Sequence, residues 1–427
     1  MEKLIQFLQD KPVLIISENQ NTKVSLKKIF SELGIKSQSI LDAETFISAE
    51  KLIQDNESHF LVLDYELEGD NTRNLIELYK AKNPNSLNNI LALLCVEESD
   101  NFKIDIKEYD IDLHFIAPFT FNDFKESFQE AIETKSQIGL FERALFEMQD
   151  AIAEEDFDKV ENFLTKFEEK HIDDARFKLF RARYKYKIGL FEKAMEILSE
   201  IVAEDDKHYR ASVMLYDIYI EMNEFDKAKT IINTYMQYYP LHASRIESYI
   251  KTCLMTKSYD DIINFGIKTQ VHGGLGEKCY RAIAAGMIIA SNQVKSINKD
   301  LTFSAAQKAI KLSQFTPNLI GSLRIMIDIG QGEEVRRIIE GLESYQVNDQ
   351  IRVLEYKAMQ LNESDKNVYL KGIELIQAGV IDFDVYDIMI KTAIKVGRKK
   401  ASIEEAIEDA SKHFPEKESY FYSILTT

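Results

Sequence analysis

The chain has 427 residues, 45% hydrophobic and 29% charged, which exceeds one ordinary compact domain and predicts two or more units with proper cores. With 16 glycines and 6 prolines, turn-rich β architecture and long disordered linkers are excluded and most of the chain is expected to be helical. A net charge of −18 repels phosphate backbones and anionic headgroups, which argues against nucleic acid or a membrane surface as partner.

In chain order, the opening MEKLIQFLQDKPVLIIS has a weakly charged head and an apolar stretch broken by Gln6, Gln9, Asp10 and Lys11, unlike a signal peptide. The longest apolar runs, Ile90 to Val96 and Ala282 to Ala290, fall far short of the roughly 20 residues that cross a bilayer. A cytoplasmic location is expected. Cys95, Cys253 and Cys279 are odd in number and widely spaced, so reduced thiols are expected.

From Pro12 the run VLIIS reads as a strand buried on both faces of a parallel sheet. A helix over Val24 to Leu33 places Val24, Leu26, Ile29, Phe30 and Leu33 on one side, and Gly34 closes it. A short strand at Ser37 to Leu41, a helix at Ala43 to Gln54 and a buried strand at Phe60 to Asp64 follow. Then come a helix at Thr72 to Lys80, a strand at Ile90 to Val96, a strand at His114 to Ile116 and a helix at Phe121 to Glu133. This alternation predicts a doubly wound, parallel, five-stranded sheet whose functional crevice collects the strand ends Ser17-Glu18, Asp64, Cys95 and Ala117-Pro118.

Residues 10 to 135, with these strand ends, resemble the receiver domain of two-component response regulators. The resemblance implies Asp64 as phosphoacceptor, Glu18 as one of the paired acids that hold Mg²⁺, and Pro118-Phe119-Thr120 as the tail of a Lys-Pro motif. The match is degenerate: Ser17 stands for the second acid, Cys95 for the switch hydroxyl and Ala117 for the lysine, and His114 falls where a switching aromatic is usual. The Met-Pro and Gly usual after the acceptor are also missing from Asp64-Tyr-Glu-Leu-Glu-Gly-Asp. Loss of the lysine removes the charge that balances phosphoryl oxygens, a deficit on the order of several kcal/mol, and a thiol is a weak donor. A pseudo-receiver that docks by its surface is therefore the preferred reading. Glu18 and Asp64 alone make a thin donor set for Mg²⁺.

The rest of the chain repeats. EDFDKV at Glu155, GLFEKA at Gly189, NEFDKA at Asn223 and KSYDDI at Lys257 recur at a step of 34, aligning Phe157, Phe191, Phe225 and Tyr259. The same register aligns Val160, Ala194, Ala228 and Ile262, then Leu164, Leu198, Ile232 and Gly266. Residues 141 to 276 thus resemble tetratricopeptide repeats, whose stacked helical hairpins form a superhelix with a protein-binding concave face. Beyond Gly276, Ala305, Ala309, Leu312 and Pro317, and later Ile403, Ile407, Ala410 and Pro415, keep the register as divergent repeats. The expected domains are a receiver-like 1–135, repeats at 136–276 and divergent repeats at 277–427, with a short, stiff joint near 134–140.

The seven histidines form no His-Glu-x-x-His pair, and Gly273-Gly274-Leu275-Gly276 lacks the Lys and Ser/Thr of a phosphate loop, so it reads as a turn. No catalytic residue is expected and the chain is not read as an enzyme. Arg176, Arg181, Arg183 and Lys185 form a basic strip that could clamp a partner's carboxylates, and tyrosines including Tyr216 and Tyr219 could line a peptide groove; a solvated face and packing between repeats are the plainer readings. The preferred function is a non-enzymatic phosphorelay adaptor whose partner is a histidine kinase or another response regulator. The rivals are a phosphorylation-competent switch at Asp64 and an assembly or co-chaperone-like adaptor with a vestigial receiver. The oligomeric state stays open.

Overall fold

The computed structural model describes residues 12–67, 72–83, 87–271 and 274–426. The N-terminal stretch 1–11, residues 68–70 after Asp64 and Gly273 lie outside them. The chain divides into two compact units, residues 1–256 with 272–276, and residues 257–271 with 277–427.

The first unit opens with a five-stranded parallel sheet of β1 (Val13–Ile16), β2 (Ile40–Ala43), β3 (Phe60–Asp64), β4 (Ile90–Cys95) and β5 (Leu113–Ile116), in the order β2-β1-β3-β4-β5. Alternate side chains serve opposite layers, which explains why the central strands read as unbroken apolar runs. Val13, Ile15, Val62 and Leu94 pack with Phe30, Phe124 and Phe128 on one face, while Leu14, Ile16, Leu61 and Leu93 pack with Ala49, Ile53, Leu75 and Ile76 on the other. The flanking helices are α1 (Gln20–Glu32), α2 (Phe46–Asp55), α3 (Thr72–Lys82), α4 (Asp100–Glu108) and α5 (Phe121–Gln137). Asn19 caps α1, and Thr45 and Thr120 cap α2 and α5 through reciprocal bonds with Ser48 and Asp123.

Several expectations shift. Val24 is 64% exposed, so it lies off the buried stripe of α1, which starts earlier, at Gln20. Ser37–Ser39 is a 3₁₀ turn and the strand begins at Ile40. β4 stops at Cys95, leaving Val96 exposed. Helix α4 has no counterpart in the sequence reading, because Phe102, Ile104 and Ile106 alternate with polar residues at strand period. Its Ser99 cap, which accepts from the Phe102 N–H at 3.1 Å, starts a helix all the same.

Helix α5 runs almost directly into the repeats, since Gly139 is already the N-cap of α6 (Leu140–Ala153). The unit continues with α7 (Phe157–His171), α8 (Ala175–Lys187), α9 (Phe191–Glu204), α10 (Tyr209–Glu221), α11 (Phe225–Tyr235) and α12 (Ile246–Met255). The second unit holds α13 (Tyr259–Lys268), α14 (Glu277–Val294), α15 (Lys299–Leu312), α16 (Thr316–Asp328), α17 (Gly332–Glu340), α18 (Asp349–Asn362), α19 (Asp365–Gln377), α20 (Phe383–Lys395), α21 (Lys400–His413) and α22 (Glu418–Ser423).

The register of 34 is literal in the backbone: α7, α9, α11 and α13 each begin on the aligned aromatic. Two residues earlier, Glu155, Gly189, Asn223 and Lys257 all have positive φ. In the first three of these turns the next N–H returns to a carbonyl five residues back, as in Asp156 to Ala151, Leu190 to Lys185 and Glu224 to Tyr219. Val160, Ala194, Ala228 and Ile262 are fully buried. In the second unit Ala305, Ala309, Ile403, Ile407 and Ala410 are buried, and Pro317 opens α16. Among the described residues no helix is long and apolar enough to cross a membrane. Cys95, Cys253 and Cys279 form no disulfide.

Candidate functional site

Parallel strands deliver their carboxyl ends to one edge, and there β1, β3, β4 and β5 present Ser17-Glu18, Asp64, Cys95 and Ala117-Pro118. The Ala117–Pro118 peptide is cis. Asp64 is half-buried, and burial pushes its carboxyl above the ordinary range; a hydrogen bond from the buried Ser17 hydroxyl opposes this, while the charges of Glu66 and Glu18 add to it. Ala117 supplies no balancing charge. Among the described residues no group of three or more His, Cys, Asp or Glu side chains is placed to hold a metal. A hard cation takes about six oxygens, and Ser17, next to Glu18, brings a hydroxyl rather than a carboxylate to this edge.

A residue that the sequence reading passed over dominates the mouth of this crevice. The Glu66 carboxylate accepts from the Val96 N–H at 3.0 Å through each oxygen and from the Glu97 N–H at 3.2 Å. The Cys95 thiol lies 3.4 Å from Glu66 Oε1 and 2.7 Å from the Glu97 carbonyl. Burial and the Glu66 charge push that thiol up to about 12, so it stays protonated and can act as a donor. The signal for Glu66 was slight, an acid two residues past Asp64 in an acidic loop.

From this edge a series of side-chain contacts reaches the repeats. Tyr65 follows Asp64 and its hydroxyl donates to Asp105 of α4 at 2.6 Å. Arg73 Nε donates to the same oxygen at 2.8 Å, and its Nη2 donates to the Tyr65 hydroxyl at 3.3 Å. Asp105 is 0% exposed, and its second oxygen lies 3.1 Å from His242 Nε2 of the repeats, at ion-pair distance but without hydrogen-bond alignment. The Tyr109 ring stands edge-on to His242, and Lys107 Nζ lies 5.2 Å from the centre of the Tyr239 ring.

One turn further along, Glu108 accepts from the Tyr209 hydroxyl and lies 3.1 Å from Arg245, which also holds Asp217 at 2.9 Å. Arg210 donates to the Lys107 carbonyl at 2.6 Å and pairs with Asp110 at 2.7 Å. Burial, with the nearby Arg210 charge, lowers the Arg183 pKa against the pull of Asp110 and Glu108. An acidic helix end is therefore seated on a basic and aromatic wall supplied by α10 and the segment 239–245. Such buried complementary pairs fix register more surely than they add affinity.

Residues 189–248 match the tetratricopeptide repeat family model. No curated protein matches the sequence. The matched repeats include Tyr209, Arg210, His242 and Arg245, the residues that hold α4, and repeats of this kind are scaffolds for protein–protein contact.

The partner candidates are dispersed. Arg176 bonds its own N-cap Asp174 at 3.0 Å and stacks on Phe141, Arg181 lies 3.7 Å from Glu168, and Lys185 covers the ring of Tyr184. Arg183 stacks on Phe180 and feels the charges of Asp110 and Glu108. Tyr216 is fully buried and donates to Ser248 at 3.0 Å, so its ring offers no surface to a partner. Tyr219 is half-buried beneath Lys227. His114 packs edge-on to Phe102 of α4. Gly274 and Gly276, in the glycine-rich joint, have the positive φ of turn residues.

Proposed function

We propose that the chain is a non-enzymatic adaptor of two-component signalling, in which a degenerate receiver-like module regulates a tetratricopeptide scaffold by docking on it. The observation that carries the reading is the seating of α4 on residues 209–245, held by Glu108 with Tyr209 and Arg245 and by Asp110 with Arg210. The partner we assign is a histidine kinase or another response regulator, because a receiver-like surface complements proteins of that relay.

Surface plasmon resonance of the full chain against purified kinase and regulator panels tests this. Binding should survive Asp64→Asn and change at least tenfold in Glu108→Lys. Capture of chaperones or assembly factors, with no kinase or regulator binding, overturns it in favour of an assembly adaptor. A phosphoswitch at Asp64 is the second reading, favoured by the path Asp64, Tyr65, Asp105, His242. Its mark is one added phosphoryl group by intact mass that Asp64→Asn abolishes.

A further inference from the structure

We infer that the turn after β4 is an anion-binding site whose ligand is carried in the chain: the Glu66 carboxylate fills it and excludes phosphate and other oxyanions. Two consecutive backbone N–H groups, from Val96 and Glu97, converge on one carboxylate at 3.0 to 3.2 Å, with the Cys95 thiol beside them. Successive N–H groups pointing into one concavity form an anion cradle, and charge-assisted bonds of this length are the stronger kind. Glu66 is itself exposed, and water would satisfy its carboxylate equally well, so its choice of these donors reports their pull.

The ligand class follows from the donors: a carboxylate or a tetrahedral oxyanion presenting two oxygens to adjacent N–H groups. A tethered carboxylate competes at an effective concentration about millimolar or higher, which free phosphate must exceed. Asp64 and Glu18 at the same crevice add repulsion against any second anion. On the adaptor reading above, on which this consequence rests, the module keeps its crevice occupied without a phosphodonor.

Amide NMR of the full chain, titrated with inorganic phosphate, tests the inference. In the native chain the Val96 and Glu97 amide signals should stay in place. In Glu66→Ala both should shift saturably, and in Glu66→Gln, whose side chain still fills the turn, they should shift far less. Shifts of equal size in the native chain would mean that Glu66 does not close the site, and unresponsive amides in a folded Glu66→Ala would mean that the turn is no anion cradle. Either result overturns the inference while leaving the kinase and regulator binding assay to judge the adaptor reading separately.

Discussion

Replacing Glu108 by Gln should loosen the α/β domain from the repeats. The side chain is 15% exposed, accepts from Tyr209, and faces Arg245, itself 11% exposed. Arg245 keeps Asp217 at 2.9 Å, so the substitution removes one charge-assisted contact rather than stranding the cation, a loss of about 1.5–3 kcal/mol. Burial raises the Glu108 carboxyl pKa, but the charge of Arg245, the Tyr209 hydroxyl, His242 and Arg210 together outweigh it, and the net shift is downward. A carboxyl lowered on folding stabilises above its unfolded pKa, about 4.3, and that contribution is lost as pH falls through the folded value. Glu108→Gln should therefore cost most at pH 7 and least in acid. Urea denaturation at both pH values, with hydrogen exchange of the α4 amides, reads the effect. A double-mutant cycle with Tyr209→Phe should return a coupling of about 1 kcal/mol or more. A loss below about 0.5 kcal/mol at pH 7, or unchanged exchange in α4, would refute the claim that this pair holds the contact.

Asp64→Asn should raise the melting temperature at pH 7, since burial raises the Asp64 pKa and penalises its ionised form; the gain should fade as pH drops through that raised value toward the unfolded one, and a lower melting temperature at pH 7 would contradict it. Glu66→Gln should bring the Asp64 pKa down toward its ordinary range, by removing one of the charges that raise it, as a carbon-detected carboxyl titration would show. Gly372→Ala should destabilise the second unit by about 1–3 kcal/mol in chemical denaturation, because the added methyl meets Met389 Cβ at 2.8 Å, an atom with no rotamer freedom to retreat.

The sheet and the repeats were legible because their signals are local and periodic. VLIIS and FLVLD are continuous because both faces are covered, and Phe157, Phe191, Phe225 and Tyr259 recur because each opens the second helix of one hairpin. Helix α4 was illegible for the opposite reason. Its apolar residues alternate, and what covers Glu108 is a wall more than 100 residues further along.

The sequence by itself determined the succession of the five strands and of the flanking helices other than α4, the step of 34, the strand-end position of Asp64 and the absence of a lysine at Ala117. Only the tertiary structure decided that Glu66 turns its carboxylate onto Val96 and Glu97, that Tyr216 is enclosed, and that Asp105 meets His242. Periodicity encodes which face of an element is buried, but it says nothing of which distant charge lies across from it. That pairing is set by the packing of whole elements, and a side chain such as Glu66 then takes whichever donors the packing leaves within its reach.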